Sequence, residues 1–197
     1  MITYYHKTTP SSKLQILERY KEGSWIYLES PEQKDLEAIS KEFDLDLSII
    51  EDVLDEDEMP RLHFNKDVSY LFSRFAYVDD HLHITTTPVL FVLHPKTLIT
   101  ITLKPLANLD KFKEEKVEYT TSSGSKLLLQ VIDQLVDHYE LTLNSISRQV
   151  KAIQSRLRVE EINNKDFIDF VLLEDILNEF LSALVPTNAI LQRLLNG

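Results

Sequence analysis

Apolar residues step through the second half of the chain at intervals of three or four: Leu128, Ile132, Leu135, Tyr139, Leu143, Ile146, Val150, Ile153 and Leu157. A strand alternates every second residue, so this spacing fits a helix with one continuous apolar face in contact with another helix. At about 1.5 Å per residue such a helix extends for roughly 50 Å, longer than a compact domain of this size needs. Asn163-Asn164 breaks the pattern, and Phe167, Phe170, Leu173, Leu177, Phe180 and Leu184 begin a second periodic stretch. The spacing predicts two long helices paired antiparallel, the second leaving the domain and kinked or interrupted at Pro186.

Upstream of Thr120-Thr121-Ser122-Ser123-Gly124 the pattern is different. Ile2–His6 and Trp25–Leu28 are short, aromatic and β-branched, and read as strands. Ser30-Pro31-Glu32-Gln33 starts a helix, with Ser30 as cap, Pro31 in the first position and Gln33 completing a capping box. Leu36, Ile39 and Phe43 follow at helical spacing. A second helix starts at Asp46 and ends near Asp55, with Leu47, Ile50 and Leu54 on one face. Val68–Val78 and His83–Leu93 flank the polar turn Asp79-Asp80-His81-Leu82 and form a hairpin. After the turn His94–Thr97, the strand Leu98–Leu103 alternates Ile99, Ile101 and Leu103 with Thr100 and Thr102. Val89–Leu93 has no alternation, so that strand is covered on both faces and helices sandwich the sheet. The expected organisation is an α/β unit over residues 1–121 and a long helical hairpin over residues 122–197.

Charge and composition narrow the function. A net charge of −11 argues against nucleic acid, which demands a basic footprint, and against an anionic membrane surface. It suits cationic partners such as metal ions, and equally an ordinary soluble acidic surface. The absence of cysteine excludes disulfides, thiolate zinc sites and cysteine nucleophiles. The N-terminus lacks the charged flank and apolar run of a signal peptide. No stretch approaches the ~20 apolar residues that span a bilayer, so the chain as it stands reads as soluble. Its three glycines, Gly23, Gly124 and Gly197, are isolated, which rules out phosphate-cradling loops and nucleophile elbows. None of the six histidines forms a helical i, i+4 zinc pair. The reading is non-enzymatic, with no organic cofactor.

Two clusters could hold a cation. His81 and His83 would share one face of a strand beside Asp79 and Asp80. The same residues also suit a plain solvated turn. Glu51, Asp52, Asp55, Glu56, Asp57 and Glu58 crowd the end of the second helix. Oxygen-rich clusters suit hard cations such as magnesium, but this run lacks the central glycine of a calcium loop and reads as readily as a solvated surface.

The run Glu51-Asp52-Val53-Leu54-Asp55-Glu56-Asp57-Glu58-Met59-Pro60-Arg61 resembles the acidic E-D-x-L-D…E-x-P-R stretch of the N-terminal domain of CorA-type divalent-cation transporters. Trp25–Leu28 with Ser30-Pro31, the strands Val89–Leu93 and Leu98–Thr102, and Leu135-Val136-Asp137-His138-Tyr139 resemble further segments of that family, in the same order. The resemblance implies an α/β/α sandwich with a mixed sheet, followed by long antiparallel stalk-type helices. It implies a cytoplasmic sensing and gating domain of a magnesium or cobalt transporter at the cell membrane, homopentameric when complete. The chain would stop before the membrane segment and the Gly-Met-Asn pore loop. Asp79 or Asp80 matches a regulatory inter-subunit magnesium site of the family, with His81 and His83 as weaker candidates. The zinc transporters of the same superfamily fit the histidines as well, and a stand-alone acidic interaction module fits the composition. Two apolar spans around a Gly-Met-Asn-like loop, encoded downstream of Gly197, would separate transport from the stand-alone module.

Overall fold

The computed structural model describes residues 1–79, 83–157 and 164–196. The chain opens with three strands: β1 (Ile2–His6), β2 (Gln15–Leu17) and β3 (Ser24–Glu29). Two helices follow, α1 (Gln33–Phe43) and α2 (Leu47–Glu51), the latter tightening into a 3₁₀ turn at Asp52–Leu54. Four strands come next: β4 (Arg61–Asn65), β5 (Val68–Val78), β6 (Ile84–His94) and β7 (Thr97–Thr102). A short helix α3 (Leu109–Lys113) leads into the long helices α4 (Gly124–Leu157) and α5 (Asn164–Asn196).

The strands form one mixed sheet in the order β2-β1-β3-β7-β6-β5-β4. Among the described strands only β3 and β7 are parallel, with Trp25 opposite Leu98 and Glu29 opposite Thr102. After β3 the chain crosses one face through α1 and α2, enters the far edge as β4, and walks back strand by strand until β7 docks on β3. β7 is therefore central, and all six of its residues are buried.

Covered faces explain the unalternating run. Val89 and Phe91 point to one face, with Trp25, Phe75 and Leu98, against Phe112 of α3 and Leu127, Val131 and Leu135 of α4. Leu90 and Val92 point to the other, with Ile26, Ile99 and Ile101, against Leu36 and Ile39 of α1 and Ile50 and Val53. The architecture is an α/β/α sandwich with long helices, as the sequence led one to expect.

Several local expectations differ. The N-cap of α1 is Glu32, not Ser30, and the Glu32 N–H donates to Asp35 Oδ2 at 3.1 Å. Ser30 is at φ 45° and its hydroxyl donates to Leu103 O at 2.7 Å, tying the end of β7 to the helix start. The buried face beyond Asp46 is Ile49, Ile50 and Val53, while Leu54 is exposed. The tighter 3₁₀ turn carries three residues per turn rather than 3.6, which rotates Leu54 off the apolar side. Helix α5 runs unbroken through Pro186. It also does not leave the domain: Ile190 and Leu191 pack on the sheet's core.

Beyond the sheet, α4 and α5 lie antiparallel. Tyr139, Ile146 and Ile153 of α4 recur every seven residues and share a cluster with Leu173, Phe180 and Ala183 of α5. The Tyr139 and Phe180 rings meet edge to face, 4.9 Å between centroids.

Candidate ion-sensing site

Strands β5 and β6 pair from Ser69↔Leu93 to Val78↔Ile84, and the expected turn lies at their open end. There the Asp79 N–H donates to His83 O at 2.9 Å, and the His83 N–H donates to Asp79 Oδ1 at 2.8 Å. The second carboxylate oxygen, Oδ2, lies 3.6 Å from His83 Nδ1. Asp79 thus spends part of its hydrogen-bonding capacity on closing the hairpin, as aspartates at turns commonly do. The Asp79 side chain is 28% exposed and that of His83 64%. Asp80 and His81, the other two candidates, lie outside the described residues.

A cavity of about 340 Å³ adjoins Asp79, lined also by Tyr77, Val78, Lys104 and Pro105. Lys104 Nζ sits 5.7 Å from the centre of the Tyr77 ring, a cation–π arrangement that puts a fixed positive charge into the cavity. Among the described residues, no group of three or more His, Asp and Glu side chains converges as a ready metal site. Among the described residues the turn offers one carboxylate and one imidazole, fewer than the six or so oxygens that magnesium requires.

The acidic run at residues 51–58 is held by bonds of its own. The Arg61 guanidinium pairs with Asp52 and, through Nε at 2.8 Å, with Glu58, while stacking 4.2 Å above the Phe72 ring. Gln33 donates to Glu51, and Asp55 Oδ1 accepts the Asp57 N–H at 2.9 Å. These contacts give Glu51, Asp52, Asp55 and Glu58 partners within the chain. The terminal arginine of the sequence motif is the clamp that bridges two of its carboxylates.

Reasoning from the sequence passed over a second arginine. Arg74 on β5 is only 8% exposed, and its guanidinium donates to Glu56 O at 2.9 Å and Glu58 O at 2.8 Å. It also donates to Thr86 Oγ1 at 2.9 Å and Thr86 O at 3.0 Å. The one available signal was a charged residue inside a mostly apolar strand, in Phe72-Ser73-Arg74-Phe75. A buried charge is retained only where it is paired and fully hydrogen-bonded.

Comparison with known proteins agrees with this architecture. The family model described as "CorA-like Mg2+ transporter protein" matches residues 20–197. No curated protein matches at a significant level. The fold is similar to the complete CorA magnesium transporter from Methanocaldococcus jannaschii, at 18% identity and a TM-score of 0.81, covering 98% of this chain and 62% of that one. It is similar to the soluble domain of CorA from the same organism, at 18% identity and a TM-score of 0.82, covering 97% of this chain and 77% of that one. The ZntB cytoplasmic domain from Vibrio parahaemolyticus matches at 14% identity and a TM-score of 0.75, over 98% of this chain and 78% of that one. The chain spans about three fifths of the complete transporter, and among the described residues no helix is long and apolar enough to cross a membrane. With a family model matched over nearly its whole length, the chain belongs to the CorA-like Mg2+ transporter protein family.

Proposed function

We propose that the chain is the cytoplasmic sensing and gating domain of a divalent-cation transporter in the cell membrane, with Mg2+ or Co2+ as the ion. The observation that carries this reading is the family match over residues 20–197. In this reading residues 1–121 are the sensing sandwich, and residues 122–197 are the helical hairpin that relays its state toward a membrane region. The complete protein is a homopentamer. The regulatory ion sits between subunits at the β5–β6 turn, held by Asp79 and Asp80, with His81 and His83 as secondary ligands.

The physics is a charge balance. Carboxylates from two subunits repel across an interface until a divalent cation screens them, so ion binding stabilises the closed symmetric assembly. Falling cytoplasmic magnesium then releases the restraint. A turn whose described residues supply one carboxylate and one imidazole per subunit needs such a partner to complete an ion's shell. The test is the double substitution Asp79→Asn with Asp80→Asn in the full-length transporter, read as magnesium-dependent closure. Closure should require several-fold more magnesium; an unchanged dependence overturns the site.

Zinc is the second reading. The imidazole nitrogen of His83 beside an Asp79 oxygen is a donor pair that suits zinc better than magnesium. Calorimetric titration with Mg2+, Co2+ and Zn2+ separates the two. Selective zinc binding that is lost in His83→Ala favours zinc.

A further inference from the structure

We propose that Arg74, Thr86 and Glu179 form a hydrogen-bonded relay, buried at Arg74 and Thr86 and ending on the exposed Glu179, that couples the acidic segment at residues 51–58 to helix α5. The relay has a defined donor order. Arg74 Nη1 donates to the backbone oxygens of Glu56 and Glu58, at 2.9 and 2.8 Å, and so holds the acidic segment from beneath. Arg74 Nε donates to Thr86 Oγ1 at 2.9 Å. The same hydroxyl passes its own proton onward to Glu179 Oε2 at 2.7 Å. Thr86 thus accepts from a cation and donates to an anion, the arrangement in which each bond polarises and strengthens the next.

The node also touches α4. The Tyr139 hydroxyl donates to Arg74 O at 3.2 Å, and its ring packs edge to face on Phe180, the neighbour of Glu179. Burial above all raises the Tyr139 pKa, with the charge of Arg74 opposing and that of Glu179 adding. Arg74 and Tyr139 are both buried, while Glu179 stands at the exposed end of the relay.

Coupling follows from how α5 is held against the sheet. Its packing on β5 and β6 is largely apolar, and apolar contacts tolerate small slides. Among the described residues, two polar bonds fix its register: Thr86 to Glu179, and the Ser73 and Thr187 hydroxyls at 3.2 Å, two turns further on. A shift of α5 that breaks the first bond frees the Thr86 hydroxyl that accepts from Arg74 Nε, and so weakens the hold on the guanidinium. The same guanidinium is what holds the Glu56 and Glu58 carbonyls. By linkage, a change in the acidic segment acts back on α5 to the same extent. The relay goes beyond the ion-sensing reading and does not depend on it.

Hydrogen exchange followed by mass spectrometry on the metal-free chain tests the relay. The Asp55, Asp57 and Glu58 amides are each hydrogen-bonded within the acidic segment, to Asp52 O, Asp55 Oδ1 and Asp55 O. Glu179→Ala, a substitution on the far helix, should speed their exchange at least about fivefold, the low end of ordinary coupling between sites. Arg74→Met should speed the same amides and, reciprocally, those of α5 around residue 179. If Arg74→Met does not fold, Thr86→Val is isosteric and cuts the same links. Unchanged exchange at Asp55, Asp57 and Glu58 in both Glu179→Ala and Thr86→Val overturns the relay. A uniform rise across the chain, Ile26 and Leu28 included, also overturns it, since that reports plain loss of stability.

Discussion

The Trp25 indole is 1% exposed, and its N–H donates to Thr100 Oγ1 at 3.0 Å on the neighbouring strand. Tyr27 is likewise buried, with its hydroxyl near Thr102 Oγ1 and accepting the Leu106 N–H at 2.9 Å. Both threonines are fully buried, although they alternate with isoleucines along the strand. They serve as hydrogen-bond partners for aromatic groups that have no water. Thr100→Val keeps the shape and removes the acceptor, so it should cost about 1–3 kcal/mol in a urea melt. Histidines supply the pH dependence. Burial is the main force holding the His138 pKa below its ordinary value; a hydrogen bond to the Ala76 backbone works against it, and the Lys111 charge adds to it. His94 is lowered by burial and then by Lys96. The folded chain thus favours the neutral rings, while the unfolded chain takes up protons near the usual histidine pKa of about 6.5. Their stabilisation is complete above that pH and is lost as pH falls through it toward the folded values. The melting temperature should drop between about pH 7.5 and 5.5, a window centred on that ordinary value, and His138→Gln should flatten part of that slope. An unaltered slope would clear His138 of the effect.

At the scale of elements, α5 carries a proline in mid-helix. Proline has no N–H to offer the Ser182 carbonyl four residues back, and its ring crowds that carbonyl, which is why a kink was the natural expectation. The surroundings hold the helix on course: Ala183 packs in the α4–α5 cluster, and the Thr187 hydroxyl donates to Ala183 O at 2.7 Å. The missing backbone bond is then a cost that the folded state carries. Pro186→Ala should restore one backbone bond and raise stability by about 1–2 kcal/mol, net of the entropy that proline removes from the unfolded chain. Thermal melts of the two proteins check this, and a lower melting point would mean that the proline sits in a relaxed bend. The long helices were legible because their period repeats over many turns. β2, β4 and α3 span three to five residues each and were not. A segment this short holds too few repeats for its spacing to stand out from its neighbours, and tertiary pairing decides its state. The start of α1 was misplaced by two residues because Ser30 is drawn to the end of β7, a partner 73 residues away.

At the scale of the molecule, the helical hairpin buries one seam between its helices and leaves much of the apolar surface of α5 uncovered. Phe167, Ile168, Val171, Leu181 and Val185 of α5 are each more than half exposed. A helix apolar on so much of its circumference ordinarily packs against more than one neighbour. The chain should therefore self-associate as its concentration rises, and Val171→Lys with Leu181→Lys should shift it toward monomer. Size-exclusion chromatography with light scattering measures both, and a strictly monomeric chain at high concentration would contradict the expectation. The acidic balance of −11 opposes close approach, so added salt should promote the association.

Local pattern was sufficient for the covered sheet, the β5–β6 hairpin, the two long helices and the acidic motif with its arginine. Each is written in the spacing of neighbouring residues, and burial of an apolar face acts on that spacing directly. The turn at Asp79 was visible for the same reason, since aspartate closes turns through its own backbone. Only the tertiary structure decided that Arg74 would be buried beneath the acidic segment, with Thr86 and the Glu56 and Glu58 carbonyls completing its bonds and Glu179 accepting from Thr86. Glu179 lies 93 residues beyond Thr86, and no period in the sequence joins them. A buried guanidinium is stable only where distant groups converge to satisfy it, and that convergence is a property of the folded chain rather than of any stretch of its sequence.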